Sequence, residues 1–411
     1  MFSLDKFIND NVTLRQESMF LVDINSHKSE MDDAICNRSV LVIGGAGSIG
    51  SSFIRSILPF KPKTLVVVDI NENGIAELTR SLRSAFGMYI PDDYTTYPMD
   101  YSSDSFEKMV RSRGGFDIVA NFSAHKHVRS EKDIFSIEAL LTNNVLHLRK
   151  LMDLLTKYPP RTYFCVSTDK AANPVNIMGA SKRIMEDVIF SYSDIFPVKT
   201  ARFANVAFSN GSLPDGFLKR LSCGQPLSAP VDVKRYFVSP IESGHICMLA
   251  CMLGNNREIF FPKLNENQMM SFDKIATRLL NEFGYTPYLC SSDEEAVKLA
   301  HDIEAGIFTP DMIDGLMPYP VHFEKSDTSG EKLYEEFYTD SESVVLDRLS
   351  ALGVIVDKSI PDKNRLCILY NQLEEAFNDP DIQKNNIVDI ISNYLPEFSH
   401  IETGRSLDSK M

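Results

Sequence analysis

Three groups of residues have the types and spacing to do chemistry. The first is Gly44-Gly45-Ala46-Gly47-Ser48-Ile49-Gly50. Gly44 allows a tight turn, Gly47 lets the backbone approach a pyrophosphate, and Gly50 brings a helix close to its sheet. A helix opening at Ser48 and Ile49 offers free N–H groups and a positive dipole end to phosphate. Asp69 stands 25 residues beyond Gly44 and closes the apolar run Leu65-Val66-Val67-Val68. A carboxylate there accepts bonds from both hydroxyls of an adenosine ribose and repels the extra phosphate of NADP. The pairing points to bound NAD, with NADP disfavoured. Asp100 is placed either to meet the adenine edge or to sit as a solvated turn aspartate. The second group, Thr168-Asp169-Lys170, sets a hydroxyl, an acid and an amine in a row behind an apolar segment. A lysine acts as a base only where burial or nearby positive charge lowers its pKa; otherwise Asp169 and Lys170 are a surface ion pair. The third group is Met178 and Lys182, one helical turn apart and so on one face.

These groups need elements to hold them. Val40-Leu41-Val42-Ile43 reads as a strand buried on both faces, and Ser51 to Leu58 as the helix after the turn. Further strands are expected at 65–69, 95–99, 116–122, 161–167 and 198–206. Helices are expected at 73–84, 137–157 and 181–192. This alternation implies an α/β fold, a doubly wound Rossmann parallel sheet covered on both faces. After about Phe208 it weakens, with Pro214, Pro226, Pro230 and Pro240 as punctuation, which suggests a smaller mixed α/β C-terminal lobe for substrate. The expected division is an N-terminal extension (1–36), an NAD-binding domain (37–207) and a substrate lobe (208–411), some segments of which return to the first domain. The extension is expected to pack on the body or on a partner subunit.

The 411 residues carry 42 Lys plus Arg against 56 Asp plus Glu, a net charge of −14. That argues against a general nucleic-acid binder, which needs a basic face. No apolar run reaches the ~20 residues of a membrane span, and the N-terminus lacks signal-peptide features, so a cytoplasmic location is expected. Seven cysteines do not suggest a disulfide framework. Cys247 and Cys251 read as small core residues, and no metal-ligand constellation appears.

The glycine turn, Asn121 to Val128, Asn144, Ser167-Thr168-Asp169-Lys170-Ala171-Ala172-Asn173-Pro174 and Lys182 together resemble an extended short-chain dehydrogenase/reductase. Lys126-His127-Val128, the Ser-Thr-Asp-Lys run and Met178-Gly179-Ala180-Ser181-Lys182-Arg183 are similar to its capsular-polysaccharide branch, the UDP-N-acetylglucosamine 4,6-dehydratases. Arg202 to Val206, Asp232 to Phe237 and Gly330 to Glu336 continue the resemblance, which covers Ser39 to Phe337. It implies that a tightly held NAD takes the C4 hydride and later returns it to C6. It also implies Asp169 as acid toward the 6-hydroxyl, Lys170 as base at C5 and Thr168 near the C4 oxygen. Lys182 would lie near the nicotinamide ribose, with Lys126 and Asn144 also on the cofactor. His127 would border the sugar. Arg202, Asn205 and Arg235 are candidates for diphosphate and sugar, Arg235 the better because Arg202 lies in a strand. Glu331 would bind ribose hydroxyls, and a homo-oligomer is expected.

Two positions depart from the pattern. Met178 stands where the wider superfamily has a tyrosine, and a thioether cannot take a proton. The C4 proton must then go to Asp169, directly or through a water or hydroxyl. Methionine-bearing relatives are associated with retention at C5. Thr328 stands where relatives have an arginine, which loosens the assignment of the nucleotide. Residues 291–323 also depart from shorter relatives and are expected to be a lid or an oligomer contact. A 4-epimerase and an inactive NAD-binding scaffold remain alternatives.

Overall fold

The computed structural model describes residues 2–126, 131–326 and 336–402. Six strands form in turn: β1 (Ser39–Ile43), β2 (Thr64–Asp69), β3 (Asp93–Pro98), β4 (Ile118–Asn121), β5 (Thr162–Thr168) and β6 (Val198–Phe203). They run parallel in the order β3-β2-β1-β4-β5-β6. The strand order reverses between β1 and β4, which opens a crevice at their C-terminal ends. β1 and β2 are buried almost throughout because helices cover both faces.

The chain then leaves the large sheet. The strand expected over 198–206 breaks at Ala204. β7 (Asn205–Val206) pairs instead with β9 (Lys234–Val238) in a second sheet, and β8 (Leu227–Pro230) joins a third. β10 (Glu258–Pro262) returns to lie parallel beside β6. β11 (Met269–Ser271), β12 (Tyr285–Leu289) and β13 (Met317–Glu324) belong to the lobe. β14 (Ser343–Val345) and β15 (Leu352–Val356) close the far edge of the large sheet antiparallel. β13 lies at the centre of its three-stranded sheet, between β12 and β8. The last part of the 291–323 departure is therefore built into the lobe.

The helix expected over 137–157 is three pieces: α-helical Ile134–Leu141, a π turn at Thr142–His147, and α-helical Leu148–Lys157. π turns often mark functional positions, and this one carries Asn144. The helix expected from Ser181 starts earlier, at Ile177. The N-terminal extension packs on the body. Phe7, Ile8 and Val12 join the lobe's apolar core with Phe208, Phe217 and Leu279. Arg15 donates twice to the buried Glu242 carboxylate, at 2.7 and 2.6 Å. Two C-terminal helices, Lys363–Phe377 and Lys384–Tyr394, lie over Leu148–Lys157 and Ile177–Phe190. Arg149 stacks on the Tyr370 ring at 4.6 Å and the Tyr394 hydroxyl donates to Asp187 at 3.2 Å. Among the described residues, no helix is long and apolar enough to cross a membrane, and no cluster of His, Cys, Asp and Glu could hold a metal. Cys247 and Cys251 are buried and unbridged, and burial pushes the Cys251 thiol up to about 12.

Candidate active site

The glycine turn joins β1 to the helix Ser48–Ile57. Gly44 adopts φ +72°, and a Cβ there would stand 2.7 Å from the Ser123 nitrogen, so only glycine fits between the ends of β1 and β4. A Cβ on Gly50 would fall 2.4 Å from the Gly44 carbonyl. Gly47 differs: among the described residues, a Cβ there would meet only that same carbonyl, at 3.4 Å. The side of the turn at Gly47 is thus open to a ligand. The helix beyond has no side-chain cap on its first amides. Ser48 turns its hydroxyl elsewhere and accepts from the Asn210 N–H at 2.9 Å, tying the turn to the lobe. Asp69 ends β2 and accepts from the Ala46 N–H at 3.0 Å and the Asn71 N–H at 2.9 Å. Open turn, uncapped amides and a carboxylate beside the turn together fit a dinucleotide. Asp100 is exposed and accepts from the Ser102 N–H at 2.7 Å, so its carboxylate shapes a turn.

The second corner lies at the end of β5. The Thr168 hydroxyl donates to Asp169 Oδ1 at 2.5 Å, and Lys170 Nζ donates to the two Asp169 oxygens at 3.2 and 3.4 Å. Asp169 is 2% exposed, which is far from the solvated surface pair considered above. The helix Ile177–Phe190 carries Met178 and Lys182 and lies directly on this turn. A Cβ on Gly179 would come within 2.7 Å of the Lys170 carbonyl, so glycine permits the approach. Lys182 Nζ donates to the Val166 carbonyl at 2.8 Å and lies 3.4 Å from Met185 Sδ. Desolvation brings its pKa down to about 8, against the opposing pull of Cys165 and Glu186. Met178 is buried, with its N–H donating to Glu131 at 3.0 Å.

Other expected residues are placed differently. Asn144 accepts from the His125 N–H and donates to the His125 carbonyl, both at 2.9 Å, and donates to Ser181 at 3.0 Å. It clamps the loop after β4 to the lysine helix. Lys126 is exposed beside the crevice; desolvation lowers its pKa while the Asp215 charge opposes this. Arg202 is fully buried and pairs with Glu186 and Glu342, so it is withdrawn from any ligand. Arg235 is buried on β9 and Asn205 lies half-buried on neighbouring β7, both in the sheet the chain enters after β6. His127, Thr328 and Glu331 lie outside the described residues. Sequence reasoning missed Glu131, Ser181 and Gly179 as supports, because none has a chemistry-bearing spacing of its own.

Residues 40–301 match the profile of the polysaccharide biosynthesis protein family. An uncharacterised membrane protein of Methanocaldococcus jannaschii is 28% identical over 350 residues, covering 83% of this chain and 92% of that protein. A probable polysaccharide biosynthesis protein of Bacillus subtilis is 30% identical over 261 residues, covering 63% of this chain but only 43% of its own length. A UDP-N-acetylglucosamine 4,6-dehydratase (inverting) of Campylobacter jejuni and a UDP-glucose 4-epimerase of Rickettsia canadensis are each 23% identical over 235 residues, with 55% of this chain and 67% and 66% of theirs covered. Among solved structures, a dTDP-glucose 4,6-dehydratase of Streptomyces venezuelae with NAD bound superposes with a TM-score of 0.55 at 16% identity, covering 85% of this chain and 99% of that one. The last of these shows a common fold. With a family profile that spans well over half of its residues, the chain belongs to the polysaccharide biosynthesis protein family.

Proposed function

We propose that the protein is a nucleotide-sugar 4,6-dehydratase that uses NAD and converts UDP-N-acetylglucosamine to a UDP-4-keto-6-deoxy sugar. The observation that carries this reading is the Thr168–Asp169–Lys170 chain, an acid and an amine in hydrogen-bond contact at the end of β5. The dinucleotide would be held by Gly44 to Gly50 and Asp69, with Lys182 beside the nicotinamide ribose. When bound it supplies the hydride acceptor and donor.

The protein's own residues would move three protons. The carboxylate of Asp169 takes the C4 hydroxyl proton through the Thr168 hydroxyl as the C4 hydride departs. Lys170, acting as the free amine once Asp169 has taken a proton and no longer holds its charge, then takes the C5 proton, which the new C4 ketone has made acidic. Asp169 gives its proton to the 6-hydroxyl, which leaves as water with its bonding electron pair. When the hydride arrives at C6, Lys170 returns a proton to C5. Both side chains end as they began, and the net change is loss of one water. This assigns the C4 proton without a tyrosine at position 178. One base serving one face of C5 gives retention there. Arg235 and Asn205 would meet the diphosphate and sugar from the lobe, Arg because its fork suits phosphate oxygens. His127 and Glu331 are carried as sugar and ribose contacts. The reading implies a cytoplasmic homo-oligomer.

The test is to incubate the protein with UDP-N-acetylglucosamine, with and without NAD, in heavy water. Mass spectrometry and proton NMR read the product. A species lighter by one water, with a 6-methyl signal and retained C5 configuration, is expected. An unchanged mass with inverted C4 would replace the reading with a 4-epimerase, the activity in the name of the equally similar Rickettsia protein.

A further inference from the structure

The stretch joining Lys170 to Met178 is fastened by two distant parts of the chain. On one side, the Asn173 amide donates to Glu336 at 2.8 Å. On the other, the Ser399 N–H donates to the Pro174 carbonyl at 3.4 Å and the Ile401 N–H to the Val175 carbonyl at 3.0 Å. Residues 399–401 therefore lie along this stretch as a strap. Phe398, buried in the main core, anchors it.

The strap converges on Glu131. His400 Nε2 lies 3.4 Å from Glu131 Oε2, and Lys384 Nζ donates to the Glu131 carbonyl at 3.3 Å while also pairing with Glu402. Glu131 is 9% exposed. Its other oxygen accepts from the Met178 N–H at 3.0 Å. Met178 is the second residue of its helix, where a backbone N–H has no partner within the helix. A carboxylate there satisfies the N–H and suits the positive end of the helix dipole. Asn176 performs the same task for Gly179, at 2.7 Å. This first turn rests on the Lys170 carbonyl at Gly179, so its placement sets that of the Asp169–Lys170 turn.

We propose that Glu131, held by His400 from the C-terminal strap and by Lys384 at the start of the last helix, is a positioning residue for the first turn of the Met178–Lys182 helix and thereby for turnover. This deepens the proposed function and rests on it for the kinetic readout only.

The test uses full-length Glu131→Ala, Glu131→Gln and His400→Asn, with hydrogen exchange and steady-state kinetics. Glu131→Ala should speed exchange at Met178 while the later turns of the helix keep their protection. Its kcat should fall on the order of ten- to a hundredfold with KM little changed, the size of effect that follows small misplacements of catalytic groups. Glu131→Gln keeps an oxygen acceptor for the Met178 N–H and should recover most of both. His400→Asn should give a smaller loss of the same kind. Wild-type exchange at Met178 in Glu131→Ala would overturn the proposal. So would equal damage from Gln and Ala with protection lost throughout the chain, which is the mark of a general structural role. If the wild-type protein leaves UDP-N-acetylglucosamine unchanged, the proposed reaction fails, while the exchange measurements still decide the role of Glu131.

Discussion

Two corners meet at the C-terminal edge of the large sheet, and they are supported in opposite ways. The glycine corner is nearly self-contained: Gly44 donates to Val68 at 2.7 Å and Ala46 to Asp69 at 3.0 Å, all within the β1–β2 unit. The Asp169–Lys182 corner has its chemical residues close in sequence, but its supports come from far away. Asn144 holds Ser181, Glu131 holds Met178, Glu336 holds Asn173, and Glu342 reaches Arg202 beneath them. A dinucleotide corner of this kind can form wherever one βαβ unit forms. The second corner exists only when the whole chain has closed around it.

The largest effect should separate the two corners at the level of chemistry. Asp169→Asn and Lys170→Ala should each lower kcat by roughly 10²–10⁴-fold, the range for a positioned acid or base. Dinucleotide retention and the unfolding midpoint should stay near wild type, because neither residue touches the glycine turn. Loss of the dinucleotide together with activity would show that the corners are not independent.

Next in size is a break beneath the second corner. Arg202 donates to Glu186 at 2.9 and 2.8 Å and to Glu342 at 2.7 and 2.9 Å, with no exposed surface. Glu186 lies on the lysine helix and also accepts from Ser167 at 2.6 Å. Arg202→Met removes the cation that two buried carboxylates share, leaving Glu342 with Lys358 and Glu186 with Arg183, and should cost about 3–5 kcal/mol in urea unfolding. The pH dependence has a definite sign. Burial pushes Glu342 up, but hydrogen bonds and charge from Arg202, with Lys358, overcome this and hold it at about 2, below its ordinary 4.5. The folded pKa is lowered, so this stabilisation is present above about 4.5 and is lost as the pH falls toward about 2. In Arg202→Met that acid-side loss should flatten. An unchanged slope would assign the stability to other groups.

The same division explains what could be read in advance. Gly44, Gly47, Gly50 and Asp69 announce themselves because one local turn needs those residue types at those spacings. The parallel arrangement of β1 to β6 follows from apolar runs alternating with helices. Thr168, Asp169 and Lys170 are legible as a chemical triplet, though their burial is not. The break at Ala204 was hidden because Asn205 and Val206 read as more of the same strand; their pairing with Phe237 and Val238 decides it. The π turn around Asn144 was hidden because it sits between two apolar runs of helical period, which read together as one plain helix. Glu131 and His400 are separated by 269 residues, and nothing local in either marks the contact. Arg202 stands among the candidates for diphosphate and sugar, behind Arg235 because it lies in a strand; a charge in the middle of a buried strand has to find an internal partner, and it pairs with Glu186 and Glu342 instead.

The smallest effect sharpens the glycine corner itself. A carboxylate offers about four acceptor positions. In Asp69 two are taken by the Ala46 and Asn71 N–H groups, which leaves room for both hydroxyls of a ribose. Asp69→Asn removes the negative charge and exchanges one acceptor oxygen for a donor, so it should lower the preference for NAD over NADP by about tenfold, in line with one charged hydrogen bond. At saturating dinucleotide kcat should hardly move, since the Asp169–Lys182 corner is untouched. Dissociation constants for the two dinucleotides, measured by fluorescence, check this directly. An unchanged preference would mean that Asp69 serves only to brace the turn, and the choice of dinucleotide would then lie with residues beyond β2. A fall in kcat at saturation would instead mean that the local corner transmits its geometry to the assembled one.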